Sequence, residues 1–218
     1  MYQNKMTIPV KTFDLQIDTS LGGSSFYIVG TSKAGKTTLM KYLRKTYYKE
    51  HIPLMFSQNK HADIYKEFGD KVIVYDEYNP QVIKDAHTIN SKFNNKFPFL
   101  IITDDIVGNN IKNDPEITRL ATIYRNANMS CIQSLQDITL MSAVGRNNTN
   151  FIAIFKQSTP KKIEAIVKEF LSTYFPTDWT IREMVHYVKQ ALEPKGQFFM
   201  INNLTNECYL TKLSSKQI

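Results

Sequence analysis

The stretch "GTSKAGKTT", residues 30–38, restricts the fold of this chain more than any other feature, because it follows an apolar run and opens a helically spaced segment. It matches the pattern GxxxxGK[ST] in full. Backbone N–H groups of such a loop, together with the partial positive charge of the following helix, form an anion site, so a strand must end at Gly30 and a helix must begin near Lys36. Glycines at positions 30 and 35 allow backbone conformations and a close approach that a Cβ would obstruct. Gly30, Thr31, Ser32, Lys33, Ala34, Gly35, Lys36, Thr37 and Thr38 are therefore the candidate ATP-binding residues. Lys36 is expected on the β- and γ-phosphates, and the Thr37 hydroxyl on Mg²⁺.

Apolar runs alternate with longer amphipathic stretches elsewhere in the chain, the pattern of an α/β sheet flanked by helices. Strands are expected at residues 25–29, 53–57, 71–75, 97–103, 129–135 and 151–156. Most read as continuous apolar runs, as strands covered on both faces do. Helices are expected at 36–50, 79–93, 115–126, 160–174 and 178–192, the last capped by Thr177 or Asp178. Two β-like runs, 197–202 and 207–212, flank the turn "NLTN" and predict a hairpin at a sheet edge. The fold class is thus α/β, a P-loop NTPase with a mainly parallel central sheet and a C-terminal β-hairpin. With 218 residues the chain suits one domain over 1–218, its core at about 22–158 and its C-terminal helices and hairpin at 159–218. The Gly- and Asn-containing segment 107–116 is the candidate mobile loop.

A phosphate loop needs an acid at the end of a neighbouring apolar strand. "FPFLIITDDIVG" supplies Asp104 and Asp105, and "KVIVYDEYNP" supplies Asp76 and Glu77. The first has the longer apolar run, and its carboxylates fall at the strand's C-terminal end, where open α/β sheets bind ligands. Asp104 is expected to hold Mg²⁺ and Asp105 to orient or deprotonate the attacking water. Adjacent carboxylates in an apolar setting are costly without a cation, which favours the metal reading. The run 129–135 ends at Gln136, an amide positioned to sense a γ-phosphate or to hold water.

A net charge of +7 favours a polyanionic partner. Cys131 and Cys208 stand far apart with no metal-ligand spacing, which points to a reducing compartment. No apolar run approaches the roughly 18 residues of a membrane span, and the start "MYQNK" does not read as a signal peptide, so a soluble intracellular protein without membrane contact is expected.

The P-loop, the "IITDD" strand, and the succession of an arginine, "NMSCIQSLQ" and "GRNNTNFIAIF" resemble the FtsK/HerA superfamily of P-loop ATPases over residues 26–156. The chain is most similar in pattern to the genome-packaging ATPases of large DNA viruses, their satellite viruses and tailless archaeal and bacterial viruses. Many superfamily members carry Asp-Glu where this chain carries Asp104-Asp105, and the Asp-Asp pair resembles the viral packaging branch more than the chromosome pumps. The resemblance implies ATP hydrolysis coupled to movement of double-stranded DNA, a homo-oligomeric ring, a viral capsid partner, and residence in the cytoplasm of an infected cell or in the virion. It also implies that Gln136 is a sensor, and that Arg125 or Arg146 acts as an arginine finger on a neighbouring subunit, Arg125 being slightly preferred for its position ahead of the sensor strand. Three other readings compete. A GTPase reading meets "DIVG" at 105–108 but lacks the guanine-selecting NKxD, "NKHA" at 59–62 being the nearest piece. A nucleotide or small-molecule kinase would use the same loop but needs an arginine-rich lid. A DNA-binding or scaffold protein with a degenerate loop is opposed by the intact Lys36, Thr37 and Asp104.

Overall fold

The apolar runs become β1 (Ser25–Val29), β2 (Ile52–Ser57), β3 (Ile73–Tyr75), β4 (Phe99–Asp104), β5 (Met129–Leu135), β6 (Phe151–Ile154), β7 (Gln197–Asn202) and β8 (Glu207–Lys212). The computed structural model describes residues 8–17, 22–58, 63–69, 71–106, 111–215 and 217. All eight strands join one sheet in the order β3-β2-β4-β5-β1-β6-β7-β8. Pairings among β1 to β6 are parallel, whereas β7 runs antiparallel to β6 and β8 antiparallel to β7. The expected α/β P-loop sheet with a C-terminal hairpin is therefore the fold adopted. β1, β4 and β5 are buried along their whole length, the physical reason for their unbroken apolar sequence.

Among the described residues six α-helices cover the sheet: α1 (Lys36–Thr46), α2 (Pro80–Lys92), α3 (Pro115–Ala121), α4 (Ala143–Asn148), α5 (Pro160–Ile166) and α6 (Ile181–Ala191). On one face Leu39, Met40 and Leu43 of α1 pack against Phe26, Ile28, Leu100, Ile102 and Ile132. α5 and α6 pack on the other face against Tyr27, Val29, Ile152 and Ile154, and α2 and α3 continue that layer over Ile101, Met129 and Cys131. The segment 8–17 runs beside β8, with Lys11 N–H donating to Leu210 O at 3.0 Å, and buries Phe13 and Leu15 on the α1 face.

Several boundaries differ from the sequence reading. The predicted helix at 160–174 is α5 followed by a π-helical stretch, Val167–Leu171, and a 3-10 turn, Ser172–Tyr174. The predicted helix at 115–126 stops after Ala121, and a separate 3-10 turn, Tyr124–Ala127, ends at Asn128 with φ 56. α6 begins later than expected because Thr180, not Thr177 or Asp178, caps it through a reciprocal capping box with Glu183. α4 was not anticipated; Ser142 caps it by accepting from Gly145 N–H.

The C-terminal end of α1 is anchored at the edge of the sheet where the parallel strands begin. Tyr48 and Ser24 share a hydrogen bond, Arg44 donates to Tyr48 O, and His51 packs edge-on against Tyr48 at 5.1 Å. His51 is 7% exposed. Burial, and secondarily the Arg44 charge, push its pKa down from 6.5 to about 4. In this interval the unfolded chain binds a proton that the folded chain does not. Stability is therefore expected to be complete above pH 6.5 and to fall progressively towards pH 4, by about 3 kcal/mol from this residue. Urea denaturation across that range measures the loss, and His51→Gln should flatten it.

Candidate functional site

β1 carries the phosphate loop, and both flanking strands hold the loop where it leaves the sheet. Gly30 N–H donates to Leu135 O at 3.0 Å on the β5 side, and Thr31 N–H donates to Lys156 O at 2.9 Å on the β6 side. A Cβ on Gly30 would stand 2.6 Å from the Phe155 Cβ, so this approach requires glycine. Lys33 has φ 61 and Gly35 φ 113, two left-handed residues that curl the loop. Gly35 is the N-cap of α1, where no side chain accepts from the first-turn N–H groups and no acid occupies the first turn. Those donors remain free to meet an anion, with the helix dipole behind them. The Lys36 ammonium, 5% exposed, donates to Gly30 O at 2.9 Å and to Thr31 O at 3.2 Å.

The acidic strand is not the immediate neighbour of the loop strand, as the sequence reading assumed. β5 lies between β1 and β4. The carboxylates nevertheless reach the loop, because both follow the C-terminal end of the parallel set: Asp105 Oδ1 stands 3.4 Å from Lys36 Nζ. Asp105 has φ 45, and its Oδ1 is buried without a hydrogen bond. Asp104 is 6% exposed and accepts from the Tyr65 hydroxyl at 2.9 Å. Burial raises its pKa above the usual carboxylate value, with the Asp105 charge acting in the same direction and the Tyr65 hydrogen bond against it. Asp76 and Glu77 follow β3 at the far edge of the sheet and are exposed.

The remaining residues named from sequence separate into three places. Gln136 directly follows Leu135, whose carbonyl holds Gly30, and its side chain is exposed beside the loop. Its backbone is fixed from the other side by Asp137, which pairs with Lys162 at 2.8 Å. Arg125 lies at the opposite edge of the sheet, where its guanidinium donates to Asn150 Oδ1 at 3.2 Å, the same oxygen that accepts Ser25 N–H at the start of β1. Arg146, on α4, pairs with Glu169 at 2.9 Å and donates to Met141 O at 2.9 Å. Of the segments 107–116 and 59–62, residues 107–110 and 59–62 lie outside the described residues.

Two residues at the site escaped the sequence reading. Tyr65 sits in a 3-10 turn, Asp63–Phe68, with no pattern that marks it, yet it bonds both Ser57 and Asp104. Gln157 lies three residues beyond β6, past Phe155 and Lys156. It is 7% exposed, donates to Phe155 O at 2.7 Å, and keeps a buried, unpartnered Oε1.

The donors fit a small hard cation. Thr37 offers a hydroxyl and Asp104 a buried carboxylate whose ionised form a cation would favour, and Mg²⁺ commonly uses one or two protein oxygens alongside substrate phosphates. No group of three His, Cys, Asp or Glu side chains converges as a ready-made metal cage among the described residues.

No family model matches the chain. Two viral proteins are similar in sequence. An uncharacterized protein of Frog virus 3 (isolate Goorha) is 29% identical over an alignment of 178 residues, the match covering 70% of this chain, and the chain spans 55% of that relative's length. An uncharacterized protein of Invertebrate iridescent virus 3 is 24% identical, the match covering 88% of each chain. Among solved structures, the DNA-packaging ATPase B204 from Sulfolobus Turreted Icosahedral Virus superposes with a TM-score of 0.67 at 15% identity, covering 88% of this chain and 98% of its own. The genome packaging NTPase B204 from Sulfolobus turreted icosahedral virus 2, in complex with AMP, gives 0.65 at 18% identity, covering 91% and 100%. The pCW3 conjugation coupling protein TcpA, with ATPgS, gives 0.63 at 14% identity, covering 97% and 67%. The chain thus has the fold of the viral packaging and FtsK-like P-loop ATPases, the fold that its motifs resemble.

Proposed function

We propose that this chain is a Mg²⁺-dependent ATPase that moves double-stranded DNA, working in a ring of identical subunits that loads a viral capsid. One observation carries the nucleotide part of the reading: Lys36 and Asp105 meet at 3.4 Å beside an uncapped helix N-terminus, across an intervening strand. The packaging part is supported by the likeness in fold to viral packaging ATPases over about nine tenths of the chain, and by the viral source of the two relatives in sequence.

In this reading the loop N–H groups bind the triphosphate and Lys36 turns its charge on the β- and γ-oxygens. Thr37 and Asp104 would hold Mg²⁺, which neutralises phosphate charge when bound. Asp105, with an oxygen free of hydrogen bonds, orients water in line with the γ-phosphate and accepts its proton. Gln136, exposed and next in chain to the Leu135 that holds Gly30, is a second group to position that water. Most of the acceleration comes from position and charge.

Neither arginine has its hydrogen-bond partners in its own loop, which favours action on a neighbour's nucleotide. Arg146 is the better finger, a change from the sequence preference. It leaves its present place by giving up a partly exposed ion pair with Glu169 and one bond to Met141 O, whereas Arg125 is tied into the buried Asn150–Ser25 network.

Lys36→Ala is expected to lose nucleotide binding and turnover. Asp105→Asn should still bind Mg-ATP while turnover falls about 10²- to 10⁴-fold, and asparagine tolerates the left-handed backbone that alanine would strain. Equilibrium binding beside steady-state hydrolysis separates the two. Wild-type turnover in Lys36→Ala would remove the site.

Duplex DNA should stimulate hydrolysis, and mass in solution under ATP should exceed that of one chain. An unstimulated monomer that phosphorylates an added acceptor would instead establish a kinase.

Mixing two inactive variants tests the ring. Arg146→Ala keeps a sound loop, and Lys36→Ala keeps a sound arginine, so mixed assemblies should recover hydrolysis, since a finger in trans contributes about 10³- to 10⁵-fold. No recovery while subunits demonstrably exchange, with recovery for Arg125→Ala under the same conditions, would return the role to Arg125.

A further inference from the structure

Asp104 closes β4 on the sheet face that α1 covers, two residues beyond Ile102 of the α1-side cluster. Ser57 on β2 and Ser134 on β5 stand in register with it, so the three side chains form a row on that face. The Tyr65 hydroxyl joins this row, 2.8 Å from Ser57 Oγ and 2.9 Å from Asp104 Oδ2. An ionised carboxylate only accepts, so Tyr65 directs its single proton to Asp104, and Ser57 donates to Tyr65 behind it. Ser134, on the other side, is buried, and its hydroxyl forms no hydrogen bond of ordinary length. The orientation of the Asp104 carboxylate therefore falls to Tyr65.

Tyr65 is itself seated on α1. Its ring lies in one cluster with Leu39, Met40 and Leu43 of that helix, and with Phe68, whose ring is 6.0 Å away. Glu67 of the same 3-10 turn pairs with Lys41 of α1 at 2.7 Å. α1 also carries Thr37 in its first turn. One helix is thus the reference for two oxygens, that of Thr37 directly and those of Asp104 through the turn Asp63–Phe68.

We infer that Tyr65 is a positioning residue for the metal: its hydroxyl holds the Asp104 carboxylate in a set orientation relative to Thr37, so that both side chains converge on one divalent cation. The inference rests on the reading of Thr37 and Asp104 as the Mg²⁺ ligands, and goes beyond it by naming the group that keeps them in mutual register. A carboxylate that gives one oxygen to a fixed donor still has the other, and further lone pairs, for a cation. Partners of this kind behind a ligating group typically contribute about 10- to 100-fold to metal affinity or activity. Asp105 has no such support, since its Oδ1 accepts no hydrogen bond and its ion-pair partner is Lys36. Tyr65 bonds Ser57 and Asp104 and no residue of the phosphate loop among the described residues. It should accordingly govern the metal and leave the grip of the loop on phosphate alone.

Binding of Mn²⁺, a spectroscopic substitute for Mg²⁺, to the full chain in complex with β,γ-methylene-ATP tests this, with free Mn²⁺ followed by electron paramagnetic resonance. Tyr65→Phe keeps the ring in its cluster and removes the hydroxyl. It should weaken Mn²⁺ binding by about 10- to 100-fold, while affinity for the analogue in EDTA stays within about two-fold of wild type. In steady-state hydrolysis the Mg²⁺ concentration for half-maximal rate should rise by a similar factor. The rate at saturating Mg²⁺ should return to within a few-fold of wild type, because a bound cation restores the orientation that the hydroxyl supplied. Wild-type Mn²⁺ affinity in Tyr65→Phe would overturn the positioning role and leave the metal reading standing. Equal losses of analogue affinity with and without metal would also overturn it, as the mark of a packing defect. A wild-type complex that holds Mn²⁺ no more tightly than the free analogue does would overturn the metal reading itself. Should Tyr65→Phe not fold, Ser57→Ala removes the donor behind the Tyr65 hydroxyl and decides the question: weaker Mn²⁺ binding with metal-free binding intact supports the inference, and unchanged Mn²⁺ binding overturns it.

Discussion

Everything at the site depends on β1 being gripped from both sides. A strand in the middle of a parallel sheet has its N–H and C=O groups satisfied by two neighbours, and here that pairing continues beyond the end of β1 on both sides. Gly30 is held by Leu135 O and Thr31 by Lys156 O. The loop therefore starts from a fixed point and in a fixed direction. Gly30 must then pass within contact of Phe155, and Gly35 must take φ 113 to turn the chain into α1. The helix that results starts without a side-chain cap. A cap would stabilise an ordinary helix by about 1 kcal/mol. Its omission leaves the donors directed at the place where phosphate is expected.

The acidic pair illustrates how an open parallel sheet gathers charge. Strands that all point one way bring their C-terminal ends to one edge, so Asp104 and Asp105 reach the Lys36 side of the sheet although β5 separates their strand from β1. The two carboxylates meet different surroundings. Asp104 is buried, bonded to Tyr65 and harder to ionise; Asp105 turns out through a left-handed residue towards the lysine. Non-glycine residues in such conformations cost free energy, and their concentration beside reactive groups is common. The arrangement gives one carboxylate that a cation would hold ionised and another free to exchange partners.

Legibility in the sequence followed the range of the forces involved. The loop, β5 and both hairpin strands are local patterns, and residues 129–135, 197–202 and 207–212 were predicted to their exact ends as Met129–Leu135, Gln197–Asn202 and Glu207–Lys212. The acidic strand was readable because burial on both faces leaves an apolar run. Its position in the sheet was not, since strand order is set by crossovers that no local window contains. Tyr65 was unreadable for the same reason: it lies 39 residues from Asp104, and only the folded sheet brings them together. The cap of α6 is a different kind of miss. Thr180 and Glu183 stand at capping-box spacing, a signal present in the sequence and passed over for an earlier threonine.

The sequence also suggests a division near residue 158, with a catalytic core before it and helices and a hairpin after it. Physical contact argues against treating the second part as an appendage. β7 closes the open edge of β6, and Phe199 and Ile201 share a hydrophobic cluster with Tyr27 and Val29 of the loop strand. Phe198 stacks on Phe155, the residue whose Cβ limits Gly30 and whose ring limits Gly35. The turn between α6 and β7 stands against the loop, where Gly196 comes within 3.6 Å of a Cβ placed on Gly35. Without residues 159–218, β6 would become an exposed edge and the wall beside the first turn of α1 would be lost. The motif would survive such a loss intact in sequence, while the surroundings that fix its shape would not.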